Sequence, residues 1–247
     1  MQGMTPVSII SAALEKVSLP PLTRPPVGPG DDPTEELVLW AIKFYVESAI
    51  AHVRTVLCGL VELAAAGNIP TAFLTSRNLF EWTAQACYMS RNLGNYVSKK
   101  EWDRAWRLLS MVAMGNKWVK DHGSAYCSAE VLDDIPEPLR IANVVAAYDE
   151  YQRQQLGSGS AKDNYGLLSE YSHPNSVCMQ QYHEYVGREV RFITPATGSP
   201  LPLVNWCLID LMMFLEELLR IGRETILRPV VVSILKEMAA LAPPERA

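Results

Sequence analysis

Apolar positions fall at helical spacing in long runs along this chain, and short clusters of proline, glycine and polar residues separate the runs, which predicts helices joined by tight connections. The first run opens at Asp32-Pro33-Thr34-Glu35, with a capping Asp, a proline at the first helical position and acids in the first turn. It continues to Ala66, and Glu36, Lys43, Glu47 and Arg54 draw one solvated stripe along it. Gly67-Asn68-Ile69-Pro70 ends this helix and starts the next, so the two are antiparallel neighbours. The second run, residues 69–93, is apolar around most of its circumference and carries Arg77, Glu81, Gln85, Tyr88 and Asn92 along a narrow face. A third helix is expected over residues 98–120, with Ser98 as its cap and Trp102 and Trp106 as core anchors.

Periodicity resumes over 137–156 through Ile141, Val144, Val145 and Tyr148, and stops at Gly157-Ser158-Gly159-Ser160. About two turns follow over 164–173 before Pro174, because the residue preceding a proline is pushed out of helical geometry. A weak helical pattern over 176–185 gives way to alternation of Val186, Val190, Phe192 and Thr194, the one candidate for β structure. Pro200 and Pro202 introduce a long helix over 203–228 with a strong stripe through Cys207, Leu211, Phe214, Leu215 and Leu218. Pro229 must kink or end it, and 230–241 forms a final helix. The fold expected is therefore all-α, an up-and-down bundle of five to seven helices with at most one short β hairpin near 186–194. Residues 1–33, with prolines at 20, 21, 25, 26 and 29, read as an N-terminal segment and linker, 34–242 as a single helical domain and 243–247 as a tail.

Composition narrows the class. Hydrophobic residues make up 49% and charged residues 20% of the 247, which excludes a disordered chain. Lys and Arg number 22 against 27 Asp and Glu, so a net charge of -5 gives no overall attraction to nucleic acid or anionic membrane, and any such contact is local. Charged residues interrupt the most apolar helices, Lys43, Glu47 and Arg54 in one and Asp210, Glu216 and Glu217 in another, so no membrane span is expected. Five dispersed cysteines without a Cys-x-x-Cys, and an N-terminus lacking secretory features, predict a reduced, cytoplasmic protein.

Two clusters carry candidate chemistry. Arg77 and Glu81 stand four residues apart in an apolar helix and share a face. Such a pair is either an exposed ion pair worth about 0.5 kcal/mol or part of a site. Tyr165, Ser169, Glu170 and His173 form the other cluster, with His173 at a helix end as a general acid or base and Arg77 able to stabilise negative charge if the segments meet. As a buried structural network instead, the pair predicts a loss on the order of 3 kcal/mol for Arg77→Ala. Between Arg91 and Lys120 seven basic residues face two acids, and Lys100, Arg104 and Arg107 make a local basic face suited to phosphates or simply solvated. Glu170-x-x-His173 occurs without the second copy that a helical di-iron site needs, so no metal and no cofactor are expected. His52, off the polar stripe, is expected to be a satisfied side chain rather than a ligand.

Arg77-Asn-Leu-Phe-Glu81 followed by Tyr165-x-x-x-Ser169-x-x-x-His173-Pro174 resembles a group of uncharacterised bacterial helical proteins of the HEPN-like superfamily, over roughly residues 36–185. The resemblance implies a bundle of four or five helices, often a homodimer. It implies a place among RNA-binding and RNA-cleaving proteins of bacterial defence or stress, and a site built from Arg77, Glu81, Tyr165, Ser169 and His173. RNA-cleaving members carry an Arg and, after four to six residues, a His on one helix; at those offsets from Arg77 stand Trp82, Thr83 and Ala84. Enzymatic activity is therefore left open, and a non-enzymatic interaction or scaffold protein with a protein partner is the competing expectation.

Overall fold

The computed structural model describes residues 32–66, 68–113, 139–172, 183–186, 189–192, 201–224 and 227–241, together with positions 12, 14, 15, 22, 23 and 25. Among these residues it contains seven helices and one hairpin: α1 (Glu35–Ala65), α2 (Ile69–Ser98), α3 (Trp102–Ala113), α4 (Ile141–Leu156), α5 (Ala161–Ser172), β1 (His183–Val186), β2 (Glu189–Phe192), α6 (Leu201–Ile221) and α7 (Arg228–Leu241). The all-α expectation holds. None of these helices is long and apolar enough to cross a membrane.

The architecture is centred on α2, which packs against α1, α3, α4, α5 and α6. Its sequence explains why. Phe73, Leu79, Phe80, Ala84, Cys87, Met89 and Leu93 are buried and point to several sides of the helix, so several neighbours are needed to cover them. Asn68 caps its N-terminus by accepting a hydrogen bond from the Thr71 amide at 3.4 Å, and Pro70 sits in its first turn. Thr83, buried beside α6, has its hydroxyl 2.9 Å from the Leu79 carbonyl and 3.0 Å from the Cys207 carbonyl, which ties the two helices together.

Several boundaries differ from those the periodicity predicts, each for a local reason. Ser98 is the last residue of α2, not the cap of α3, and its hydroxyl donates to the Asn95 carbonyl at 2.9 Å. A turn with Lys100 at φ 57 then precedes α3. Residues 114–138, the expected end of the third helix and the start of the fourth, lie outside the described residues. α4 ends at Gly157, in the left-handed conformation at φ 74 that glycine adopts without strain. α5 begins three residues earlier than expected because the buried carboxylate of Asp149 on α4 accepts from the Lys162 amide at 3.3 Å. That carboxylate also bonds Arg153 at 2.5 Å, and the chain passes so close there that a side chain on Gly159 would meet the Asp149 carbonyl at 2.8 Å.

The C-terminal stretch forms two helices as expected, but the break between them falls before Pro229. α6 stops at Ile221, before Gly222 and Arg223, the latter at φ 63, and Pro229 falls in the first turn of α7 instead of terminating its predecessor. Lys43 on α1 bonds Glu224 at 2.6 Å and Glu35 bonds Arg223, so this turn is fastened to α1. The hairpin pairs His183 with Phe192 and Val186 with Glu189, antiparallel, so residues 183–185 are strand where a weak helical pattern stood. At the other end, Leu14 is fully buried and its carbonyl accepts from Arg54 Nε at 2.9 Å and from the same guanidinium's Nη2. Within the proline-rich stretch 20–29, Leu22, Thr23 and Pro25 are described, with Pro25 buried, and the other positions lie outside the described residues.

Candidate functional site

The two motif segments meet. On α2 the four-residue spacing stacks Arg77 and Glu81 on consecutive turns, with Nε 3.0 Å from Oε1. α5 runs beside them, held by the Asp149 cap and by the burial of Ala161 and Leu168. This places Tyr165 against the pair: Arg77 Nη2 donates to the Tyr165 hydroxyl at 3.0 Å, and that hydroxyl donates to Glu81 Oε1 at 3.3 Å. One hydroxyl thus uses its acceptor and donor capacity to close a three-membered polar ring. The Tyr165 ring is a wedge between the solvent and the core, with Phe80 at 6.0 Å between centroids and the guanidinium carbon of Arg77 5.3 Å from its centroid.

The ring of contacts is half-buried, with 24% of the Arg77 side chain and 34% of the Glu81 side chain exposed. Burial works against the guanidinium's charge, but the hydrogen bonds to Tyr165 and Glu81 outweigh it and hold its pKa above the ordinary value. Arg77 therefore stays cationic while Glu81 balances its charge. Ser169, one turn on, donates to the Tyr165 carbonyl at 2.8 Å, and Glu170 is exposed. His173 lies outside the described residues.

The basic residues stand elsewhere. Lys100 occupies the turn after the far end of α2, which by helical rise is roughly 30 Å along the axis from Arg77. Arg104 bonds Glu101 at 3.0 Å, and Arg107 is exposed on α3. Lys100 and Arg104 therefore form no single site with Arg77. His52 sits between Asn78, whose Oδ1 is 2.6 Å from its Nε2, and the Trp82 ring at 5.0 Å, so that nitrogen is paired within the fold. Among the described residues no group of three or more His, Cys, Asp or Glu could hold a metal ion, and Cys58, Cys87 and Cys207 are free thiols.

Two features escape the sequence pattern. Inside the bundle the Tyr148 hydroxyl of α4 donates a short hydrogen bond to Asp210 Oδ2 of α6, beside Cys87 and Cys207. Burial pushes the Asp210 carboxyl above its ordinary range, opposed by the Tyr148 bond, and pushes the Cys87 thiol up to about 12. These cysteines are consequently protonated and unreactive. The sequence signal for the first feature was Asp210, one of three acids on α6, standing one turn from Cys207 and Phe214 of the apolar stripe. The second is a cavity of about 600 Å³ among α1, α2 and α3, walled by Trp40, Phe44, Tyr45, Trp82 and Trp106. Its signal was the aromatic spacing at 40, 44 and 45, which also fits ordinary core.

The chain matches no protein-family model, no curated protein and no solved structure.

Proposed function

We propose that this protein is a HEPN-like helical module that binds a nucleotide or an RNA end where α5 docks on α2, with Arg77 as the phosphate ligand and Tyr165 and Glu81 orienting it. The observation that supports this reading is the Tyr165 hydroxyl on the Arg77–Glu81 pair. Two segments 88 residues apart bring their polar side chains to one half-exposed point, as the resembled family's motif pairing implies. A planar guanidinium held charged and partly open is suited to two phosphate oxygens. In this reading the module is a homodimer, the basic face at Lys100, Arg104 and Arg107 attracts the remainder of an RNA chain, and His173 is the residue that would move a proton if the bound RNA is cleaved.

The test is anisotropy of a short labelled single-stranded RNA at low salt, where phosphate contacts weigh most. Arg77→Ala is expected to weaken binding at least tenfold and Tyr165→Phe by a smaller factor. Wild-type protein that fails to bind at low salt sinks the proposal, and RNA left intact by protein that binds it restricts the function to binding.

A second reading has its own support. Glu81 and Tyr165 already offset the charge and fill donors of Arg77, so a phosphate would have to displace Glu81. In that reading the polar ring fixes the register of α5 on α2 in a non-enzymatic interaction protein. Arg77→Ala then lowers stability while leaving RNA binding, if any, unaltered.

A further inference from the structure

The cavity among α1, α2 and α3 is lined by none of the polar-ring residues Arg77, Glu81 and Tyr165, although Gln85, one turn beyond Glu81, stands on its wall. At about 600 Å³ it is roughly four times the cavity of about 150 Å³ left by a large core truncation. It falls instead within the range of small-molecule sites.

Its walls state what it would accept. Trp40 and Phe44 stack with centroids 5.4 Å apart and planes 16° apart, and Tyr45 and Trp82 stack at 5.9 Å and 28°. These pairs present flat apolar surfaces, and Trp106 faces them from α3. Among the described lining residues none is Asp, Glu, Lys, Arg or His, so a charged ligand would be desolvated there without a counter-charge from them. Polarity is supplied by Ser48, Gln85 and Ser110.

We propose that this cavity binds one flat, uncharged, mainly aromatic small molecule, stacked against the aromatic walls. The neutral naphthyl ketone 6-propionyl-2-dimethylaminonaphthalene has this chemistry and reports on its surroundings. Titrated into the full chain, it is expected to saturate at one molecule per chain, with blue-shifted emission and quenched tryptophan fluorescence. The anionic naphthyl probe 1-anilinonaphthalene-8-sulfonate, similar in size, is expected to bind at least tenfold more weakly. Ser48→Phe, which fills the cavity from α1, should weaken the ketone at least tenfold. Ser110→Leu, which fills the same cavity from α3, should weaken it likewise, and it decides the matter if Ser48→Phe does not fold. Absence of saturable binding, equal binding of the anionic probe, or unchanged affinity in a folded Ser48→Phe or Ser110→Leu overturns the proposal.

Discussion

Replacing Arg77 by Ala tests how the motif segments are held together. The substitution removes an ion pair to Glu81 at 3.0 Å, a hydrogen bond to Tyr165 at 3.0 Å and a cation resting over the Tyr165 ring at 5.3 Å. With 34% of the Glu81 side chain exposed, its carboxylate turns to water once alone, so the ion pair contributes only about 0.5 kcal/mol after solvent screening. The hydrogen bond contributes about 1 kcal/mol and the cation–ring contact about 0.5 kcal/mol. The expected loss is therefore about 2 kcal/mol, below the order of 3 kcal/mol that a fully buried pair would cost. Urea unfolding should show this as a lower midpoint with an unchanged slope. A double-mutant cycle with Tyr165→Phe should return a coupling of about 1 kcal/mol between the two side chains. Coupling below about 0.3 kcal/mol, the ordinary additivity error, would refute the claim that this contact joins α5 to α2.

Three further changes probe the interior. Asp210 has a folded pKa raised above the ordinary 3.8, so the folded state holds its proton more tightly than the unfolded chain does; stability from this group is greatest below 3.8 and falls as pH rises through the folded value. Asp210→Asn should therefore gain on the wild type with rising pH in urea unfolding from pH 4 to 7, and a constant difference would contradict the assignment. Asp149→Ala should cost about 2 kcal/mol through the lost helix cap and buried acceptor, with faster proteolysis in the 157–160 loop as the local readout, and Asp149→Asn should recover part of it. Tyr45→Phe, which removes a buried unpartnered hydroxyl, should raise stability by about 1 kcal/mol, read as a higher urea midpoint in the ligand-free protein.

The encounter of Arg77 with Tyr165 was legible because each belongs to a concentration of polar chemistry, an ion pair on the largely apolar α2 and the polar cluster from Tyr165 to Glu170 on α5, and such groups must find each other or water. The helix ends were less legible because distant groups set them. Apolar periodicity runs on past Ile221 through Leu227, so pattern alone puts the break between α6 and α7 at Pro229; it comes earlier, at a turn with Arg223 left-handed, tied to α1 through Glu35 and Lys43. The start of α5 depends likewise on Asp149, thirteen residues before the amide it caps. A carboxylate that caps another helix is indistinguishable in sequence from one that faces water. Glu150, its exposed neighbour on α4, is the example beside it.

The cavity marks a different limit, one of volume and not of pattern. Tyr45 falls on the core-facing stripe of α1 with Trp40 beside it, Phe44 is 47% exposed at the rim, and Trp106 falls where α3 should anchor. Residue type and period fix which face of each helix turns inward, but the space left between three inward faces depends on how far apart the helix axes are held. Bulky aromatics at the contact hold helices apart, and only complementary small residues on the partner refill the gap. Here tryptophan or tyrosine comes from each of the three helices, with Ala41, Ser48 and Ser110 the small residues among them. Large rings on every side brace the helices open, and a core assembled that way has room that its own side chains do not occupy. The same argument explains why filling from Ser48, a small position, is the informative substitution, whereas truncating Trp106 would remove one of the braces.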